Sequence, residues 1–600
     1  MSPKTPFGTP IEIPPPAKKE RVAPGKRGFG LEIDPSQAPP KKQSATQTKR
    51  SFGLEVDPAQ APPKRERPAP SFAPKPIQPI DVAPPSSTLM TFKTVALGLM
   101  ENVPAPNLPA GATPEAQNVL AREGVLEPRY RLAKVGSGSS LCDDVLAMGE
   151  MVNTAGTRYP FAISAATMSY YSGSVWTFGS YFANGVNDPP SAADTVYIDA
   201  VQIYEPVSDD NAIAWVNGTD QCFVASGYTK GFSSLTNAPI AKTIAVFDNR
   251  VVWGNITSGG TTYPQRIQYS EKWNPSITTA PTGGFEDETD ARGALLRLIS
   301  DGDRVLAYFE HELWYGYAVD YPFNLTFLPL DRSTGCSGAW AVCQTPKGVF
   351  HLGSDYMPYI TPRGGLPQAV GQAVWKTLRE DIDYPTRAHA EYNPQTGEVV
   401  LCYAHQGGTG RPKRALTFDI NTGVWTPQTF DVAITRLGVG DYTSSSVTWG
   451  GLVGTWAQQT KTWSQLGGTA SARVLYAGTS TGTIAAFTSD ATNDLGTAVE
   501  TKYLAVVPNE DPARKMYVRE VRLDYRAASA SSLTLKMSGD FGTTWQSEVG
   551  VALPTAPTSA QTTVWVGAEA IYPTILFQHD QGHRFAIQRA IAVVTPTGRG

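Results

Sequence analysis

The chain has 600 residues and a formal net charge of −4, with 50 Lys and Arg against 54 Asp and Glu. Gly, Thr, Ser, Tyr and Trp are frequent and long Leu/Ala/Glu/Lys runs are few, which is typical of β-structure. No run reaches the ~18 apolar residues of a membrane span, and "MSPKTPFGTPIEIPPP" lacks the apolar region of a signal peptide, so we expect a soluble protein made in a cytoplasm. The five scattered cysteines fit neither a disulfide framework nor a CxxC metal knuckle, so we expect buried, reduced thiols.

The first 88 residues form a proline-rich, basic arm. Residues 1–85 hold 20 of the 49 prolines and carry 14 Lys and Arg against 8 Asp and Glu, a balance of +6. The rest of the chain must therefore carry −10, so a basic arm precedes an acidic body. Proline at this density opposes helices and central strands, and we expect an extended segment.

The arm contains a repeat. "GFGLEIDPSQAPPKK" at 28–42 returns as "SFGLEVDPAQAPPKR" at 51–65, and weaker copies place further phenylalanines at positions 7 and 72. Each unit offers an apolar anchor and an alternating tetrad that could add to the edge of a partner's sheet, whereas a solvated spacer would need neither. We interpret the units as docking motifs, whose avidity would come from tandem copies. The predicted docking residues are Phe29, Gly30, Leu31, Glu32, Ile33, Asp34, Phe52, Gly53, Leu54, Glu55, Val56 and Asp57.

Residues 89–495 are predicted to form a β-propeller together with its lead-in segment. Paired apolar runs separated by turn residues begin at positions 212, 243, 295, 339, 389 and 472, mostly at the ~40–50-residue spacing of four-stranded blades. The wide last gap leaves room for another blade near "RLGVGDYTSSSVTWGG", so we expect about six or seven blades. A chain of β-sandwiches is the structural alternative. One segment, "LPQAVGQAVWKTLREDI" at 366–382, has helical spacing and predicts a short helix.

Residues 496–600 are predicted to form a separate small β-sandwich, because their runs alternate as half-buried strands do. This region contains "SGDFGTTW" at 538–545, the letter pattern of the Asp box of sialidases and related propeller glycosidases. We interpret Ser538, Asp540, Gly542 and Trp545 as a turn-stabilising device: a carboxylate for backbone N–H groups, a glycine for positive φ and a covering ring. The pattern supplies neither a nucleophile nor a proton shuttle.

The sequence offers no catalytic constellation, and we expect no enzyme activity, cofactor or metal. His579 and His583 flank Asp580 in "FQHDQGHRF", but Gly582 favours a loop, where that spacing does not define a metal site. "FEHELWYG" and the acidic run "FEDETDARG" at 285–293 are predicted to be a solvated strand face and a solvated loop. HExxH and Walker sequences are missing from the 600 residues.

The order of several segments resembles the tail-hub or nozzle proteins of short-tailed bacteriophages, including the packaged-DNA stabilisation proteins. The resemblance covers roughly residues 105–430. It rests on a lead-in ending in Gly-x-Leu-x-x-Arg at 124–129, followed by "NRVVWGN", "RIQYSEKWNP", "SDGDRVLAYFEHELWYGYAV", "GCSGAWAVCQTPKGVFHLGSDYMPYIT", "VGQAVWKTLREDI", "EYNPQTGEVVLCYA" and "LTFDINTGVWT". The repeated basic arm departs from that pattern.

The resemblance implies a structural protein of the virion tail, assembled in the bacterial host cytoplasm. Such proteins form a ring, here by analogy a hexamer, below the portal and adaptor, where they extend the channel and retain packaged DNA until ejection. The implied partners are the portal and adaptor, a tail fibre or spike, and passing double-stranded DNA. An acidic body suits that role because it repels phosphates and lets DNA slide.

Two alternatives remain open. The first is a carbohydrate-binding or sialidase-like propeller, supported by the Asp-box letters and by abundant Trp and Tyr. The second is a cellular interaction scaffold with a multivalent docking arm. Glycan binding would distinguish the former, and portal and terminase genes nearby would exclude the latter.

Overall fold

The computed structural model describes most of the chain after residue 87. The described residues are 88–92, 98–109, 111–122, 124–136, 144–164, 167–172, 175–180, 198–206, 208–226, 232–320, 324–442, 472–489, 491–507, 509, 514–527, 529–579 and 584–599. The docking motifs predicted in the arm lie outside this part of the chain. The described residues belong to one compact unit within 81–600.

A lead-in of seven short strands opens the described chain. These are β1 (Thr88–Phe92), β2 (Gly98–Leu99), β3 (Ala112–Thr113), β4 (Ala116–Gln117), β5 (Val119–Arg122), β6 (Val125–Pro128) and β7 (Arg131–Lys134). A 3-10 turn at Ala105–Asn107 separates β2 from β3.

Seven antiparallel sheets follow, and we number them as blades 1 to 7 in chain order. Blade 1 contains β8 (Val145–Val152), β9 (Arg158–Ser164), β10 (Thr167–Ser172) and β11 (Val175–Ser180). Blade 2 contains β12 (Asp199–Glu205), β13 (Asp210–Val216), β14 (Phe223–Ser226) and β15 (Ser233–Ser234). Blade 3 contains β16 (Ile240–Phe247), β17 (Arg250–Ser258), β18 (Thr261–Tyr269) and β19 (Gly284–Asp287). Blade 4 contains β20 (Leu295–Asp301), β21 (Arg304–Phe309), β22 (Leu313–Ala318) and β23 (Leu325–Asp331).

The remaining three blades have the same plan with small variations. Blade 5 contains β24 (Val342–Thr345), β25 (Gly348–Leu352), β26 (Pro358–Thr361) and β27 (Gln368–Ala369). The helix α1 (Trp375–Asp381) precedes blade 6, which contains β28 (Ile382–Asp383), β29 (His389–Asn393), β30 (Glu398–His405), β31 (Arg414–Asp419) and β32 (Trp425–Thr429), with a 3-10 turn at Pro385–Arg387. Blade 7 contains β33 (Ile434–Tyr442), β34 (Ala472–Thr479), β35 (Ile484–Thr488) and, from the lead-in, β7.

The seven blades close into a ring, so the prediction of a propeller of about six or seven blades is confirmed. The first strands of blades 1 to 5 and 7, with β29 of blade 6, contact one another in sequence, and β33 returns to β8. Blade 7 closes the ring through β7, which pairs antiparallel with β35. Such closure leaves only short, protected sheet edges.

Burial explains the long apolar runs in the second strand of each blade. In β21, all six residues of "RVLAYF" are buried, because the faces of adjacent blades cover both sides of this strand. The turn before it, between β20 and β21, contains Gly302 with φ 72°. Such runs lack the alternation of a half-exposed strand, and the hairpin turns are what identified them in the sequence.

The C-terminal region forms a two-sheet sandwich with strands β36 (Thr501–Val506), β37 (Arg514–Ala527), β38 (Ser531–Ser538), β39 (Ser547–Leu553), β40 (Ala556–Ala570), β41 (Thr574–His579) and β42 (Phe585–Arg599). One sheet has the order β40-β37-β42-β6-β5, with β1 also paired to β42, and the other has the order β39-β38-β41-β36-β4. One apolar cluster lies between them, with Val518, Leu523, Met537 and Ile587 fully buried.

The predicted boundaries at 89 and 496 assigned the whole lead-in to the propeller, but the structure divides it between the propeller and the sandwich. We expected it to belong to the propeller, whereas β1, β4 and β6 pair with sandwich strands, β5 extends the same sheet by pairing with β6, and only β7 enters a blade. The pairing partners lie hundreds of residues away in sequence, so local periodicity carries no sign of them. The predicted helix at 366–382 is also shorter: Gln368–Ala369 is a strand, and α1 begins only at Trp375.

Candidate functional site

Large side chains fill the bore of the propeller. Arg297 in blade 4 and Arg436 in blade 7 face the ring of Trp340, with guanidinium carbons 5.0 Å and 3.6 Å from its centroid. Because these residues come from blades separated around the ring, their contact with one indole places all three side chains across the axis. Trp340 is buried, so the bore is closed at this level.

Acidic side chains compensate the two arginines. Arg297 Nη1 lies 2.5 Å from Asp199 Oδ1, and the other oxygen of Asp199 accepts hydrogen bonds from Thr243 Oγ1 (2.8 Å) and the Ile244 N–H (3.0 Å). Burial, followed by the charge of Arg297, lowers the pKa of Arg436 to about 9. Burial also raises the pKa of Glu391, against the opposing effect of Arg436.

A cavity of about 430 Å³ opens above this cluster, where the innermost strands of blades 3 and 4 begin. We call it the mouth cavity. It is lined from five consecutive blades or their entry loops, from Asn217 in blade 2 to Thr386 before β29. Leu296 and Ala339 line the cavity and directly precede Arg297 and Trp340 in the sequence. The cavity therefore adjoins the bore cluster. Its volume lies within the usual range of small-molecule sites.

The Gly-x-Leu-x-x-Arg segment at 124–129 forms the junction between the sandwich and the propeller. Gly124 has φ 82° in the turn between β5 and β6, and Leu126 packs in the sandwich core. Arg129 is almost fully buried and forms an ion pair with Asp494. It also donates from Nε to Asn118 Oδ1 (3.0 Å) and from Nη2 to the carbonyl of Thr429 (2.9 Å), which ends blade 6.

The Asp-box turn lies at the end of β38, in the sandwich. Asp540 Oδ1 accepts a hydrogen bond from the Thr544 N–H (2.8 Å), and its Oδ2 accepts one from Thr544 Oγ1 (2.6 Å). Ser538 Oγ accepts from the Gly542 N–H (2.8 Å), and Gly542 has φ 92°. Hydrogen bonds from Ser538 and Thr544 lower the pKa of Asp540 to about 2. Trp545 lies over Gly542 but is 40% exposed.

The histidines and carboxyls considered on sequence do not come together. His579 is buried and its Nε2 lies 2.8 Å from Ser531 Oγ, whereas Asp580 and His583 lie outside the described residues. No group of three or more His, Cys, Asp or Glu within the described ranges could hold a metal ion. The four described cysteines are buried thiols, and none of the helices described here has the length and hydropathy needed to span a bilayer.

"FEHELWYG" was wrongly interpreted as a solvated strand face. Glu310 and His311 form the turn after β21, and Glu312 is fully buried. Its Oε1 lies 2.8 Å from Arg292 Nε, and its Oε2 accepts a hydrogen bond from Trp314 Nε1 at 2.9 Å. A buried carboxylate with two partners therefore fixes this turn.

The acidic run at 285–293 is also less solvated than expected. Glu286 and Glu288 are half-buried, and burial together with Glu286 raises the pKa of Glu288 to about 7. Glu286 lies on β19, the outermost strand of blade 3, and Glu288 follows its end, while Arg266 on β18 is paired with Asp287 at 2.6 Å. The run is therefore partly buried at Glu286 and Glu288, whereas Asp287 and Asp290 are exposed.

Comparison with known proteins gives only distant structural similarities. The chain matches no protein-family model and no curated protein. Similar solved structures include an exo-β-1,3-galactanase from Phanerochaete chrysosporium, Pc1,3Gal43A, with galactose (10% identity, 77% of this chain, 100% of that chain, TM-score 0.26). BamB from Moraxella catarrhalis has 10% identity over 59% of this chain and 97% of its own, with TM-score 0.32.

A glycoside hydrolase family 43 arabinoxylan arabinofuranohydrolase from Bacillus subtilis is similar at 10% identity, 84% of this chain, 97% of that chain and TM-score 0.22. Likeness at this level carries no argument about function. The strand pairing itself defines the chain as a seven-bladed β-propeller protein with a sandwich built from both ends of the described chain.

Proposed function

We propose that the chain is a structural protein of a bacteriophage tail, the hub or nozzle below the portal and adaptor. In this role it extends the DNA channel and helps to retain the packaged genome. One observation supports the proposal most: the 124–129 segment, which ends the lead-in that resembles the tail proteins, joins the sandwich to the propeller through Leu126 and Arg129. A ring subunit that keeps its two domains in register needs such a buried connection.

The filled bore excludes DNA from the axis of the propeller. Arg297, Trp340 and Arg436 close the propeller axis, so a single subunit offers no passage for a duplex. The channel of the proposed assembly must therefore lie between subunits, in a ring of copies, for which the resemblance implies six. The excess of acidic residues in the body would keep DNA from adhering to the channel wall.

Disruption of the gene in its phage tests this proposal. We expect heads that package DNA but lose it, and tails that stop at the adaptor. A complementing copy should restore infectivity and should appear in purified virions at a fixed copy number. Infectious virions that lack the chain would contradict the proposal, and a genome without portal and terminase genes would favour the cellular scaffold.

The arm repeats would dock the subunit to a neighbouring virion protein. The matched test replaces Phe29, Leu31, Phe52 and Leu54 with serine, while a control replaces Gln37, Gln43, Gln47 and Gln60 in the same arm. We expect the first variant, like removal of residues 1–85, to reduce the copy number in particles. Unchanged assembly and copy number after removal of 1–85 would show that the arm is a spacer.

A further inference from the structure

The mouth cavity contains an acid and a base that lack partners. Lys242 in β16 and Glu310 in the turn after β21 both line it. Among the residues that the structure describes, neither side chain forms an ion pair or a hydrogen bond. Lys242 is exposed and Glu310 is half-buried. Nearby charged side chains do have partners, as Arg297 has Asp199 and Glu312 has Arg292.

Two glycines lie against these charged side chains. A Cβ atom at Gly218 would lie 2.9 Å from Cγ of Lys242, and one at Gly293 would lie 2.6 Å from Oε2 of Glu310. Both glycines have positive φ, 77° and 90°, where other residues are strained. The backbone therefore approaches the aliphatic stem of Lys242 and the carboxylate of Glu310 more closely than a larger residue would permit.

The floor of the cavity adds an acceptor without a donor. Asn255 is 2% exposed and donates through Nδ2 to the carbonyl of Leu295 (3.0 Å), but its Oδ1 has no hydrogen-bond partner. A buried amide oxygen left unpaired is costly, so this position favours a bound donor. The half-buried side chains of Ala294, Leu296 and Ala339 form an apolar part of the same wall.

We propose that the mouth cavity binds a sugar unit. A sugar hydroxyl both donates and accepts, so one neutral ligand can accept from the Lys242 ammonium and donate to the Glu310 carboxylate and the Asn255 amide oxygen. The C–H face of a pyranose ring matches the apolar wall of Ala294, Leu296 and Ala339. A cavity of about 430 Å³ accommodates one or two such rings.

This site is binding only and is independent of the proposed tail function. The described lining supplies one carboxyl, Glu310, whereas glycoside hydrolysis commonly requires a pair. The ligand would be a glycan presented to the mouth face, since the filled bore blocks access from the opposite side of the ring.

Saturation-transfer NMR on the full-length protein tests the proposal with a panel of pentoses, hexoses, N-acetylhexosamines and uronic acids, plus glycerol and alanine. We expect saturable binding of at least one sugar. Lys242→Met and Glu310→Gln should each weaken it about ten-fold or more, because each removes a charged hydrogen-bonding group. Lys242→Arg, which keeps a donor, should retain part of the affinity.

The matched controls are Lys272→Met and Glu548→Gln, which remove surface charges elsewhere and should leave binding unchanged. Thermal unfolding of every variant shows whether it is folded. Binding of no sugar in the panel would overturn the proposal. So would sugar binding insensitive to Lys242→Met and Glu310→Gln in folded proteins, or alanine competing at the same site, which would indicate a zwitterionic ligand. Ring assembly with the portal and adaptor would be unaffected by these results.

Discussion

Asp494 neutralises Arg129 at the buried junction, and its Oδ1 also accepts a hydrogen bond from the Leu132 N–H (2.9 Å). Removing one member of a buried ion pair leaves the other charge without compensation. We therefore expect Asp494→Ala to lower the free energy of unfolding by about 3–5 kcal/mol. Urea unfolding followed by tryptophan fluorescence measures the change.

The control for Asp494→Ala is Glu548→Ala, which removes an exposed carboxylate 3.2 Å from Lys536 Nζ. Exposed pairs contribute at most about 1 kcal/mol. If both substitutions had equally small effects, the junction would not depend on the Arg129 ion pair.

His351 predicts a pH dependence of stability. Burial lowers its pKa to about 3, although Asp331 opposes this effect, and its ring packs between Tyr308 and Tyr359 at 4.8 Å and 5.3 Å. The unfolded chain binds a proton below pH ~6.5 and the folded chain does not, so stability is lost as pH falls from about 6.5 towards 3. In His351→Phe, whose ring fills the same space, we expect this slope to decrease by up to ~1.4 kcal/mol per pH unit.

Unfolding midpoints of the wild type and His351→Phe between pH 4 and pH 8 give the slope. Other groups titrate equally in both proteins, including the buried His389, so the difference isolates residue 351. Parallel pH profiles would contradict the assignment of His351 as a neutral, buried ring.

The Asp-box residues predict a local effect on hydrogen exchange. Because Asp540 Oδ1 accepts from the Thr544 N–H, Asp540→Ala should accelerate exchange of this amide and leave the amides of β41 unchanged. Asp540→Asn keeps an acceptor oxygen and should retain part of the protection. Unaltered exchange over 542–546 in Asp540→Ala would show that the carboxylate does not stabilise the turn.

At the scale of elements, closure of the ring depends on β7. Leu132 in this strand is 1% exposed and packs in the cluster of blade 7 with Leu437 and Phe487. Leu132→Ala should lower the free energy of unfolding by about 2–5 kcal/mol, because it leaves a cavity at the closure of the ring. Thermal unfolding and limited proteolysis measure the effect.

Leu328→Ala is the matched control, because Leu328 lies on β23, the outermost strand of blade 4, and is 40% exposed. We expect Leu328→Ala to lower the free energy of unfolding by much less than Leu132→Ala does. Equal costs would mean that β7 adds no more stability than any outer strand.

The elements also show what sequence could predict. Turn residues between apolar runs located the hairpins of blades 2 to 6, because this signal lies within about 30 residues. It failed at blade 7, where "RLGVGDYTSSSVTWGG" begins the same blade as "ARVLYAGTSTGTIAAF", and a strand from residue 131 completes it. Blade 1, at 145–180, was missed because "VLAMGEMV" alternates weakly.

At the scale of the whole molecule, sequence predicted the all-β class and the propeller but not how the parts join. Arg129 and Asp494 are 365 residues apart, and nothing local to either residue indicates the other. The mouth cavity could not be predicted either, since Lys242 and Asn255 lie on two strands of blade 3 and Glu310 follows a strand of blade 4. The glycines at 218 and 293 were the available signals, but glycine in a loop is too common to identify a site.

The proposed tail function depends on assembly, so the mass of the full-length protein is the most direct measurement. Native mass spectrometry of the protein, alone and mixed with the portal and adaptor from its genomic neighbourhood, gives that mass. We predict a closed ring, with six copies as the expected number, formed alone or on the portal–adaptor complex. A persistent monomer that ignores these partners would contradict the proposal and would favour the carbohydrate-binding or scaffold alternatives.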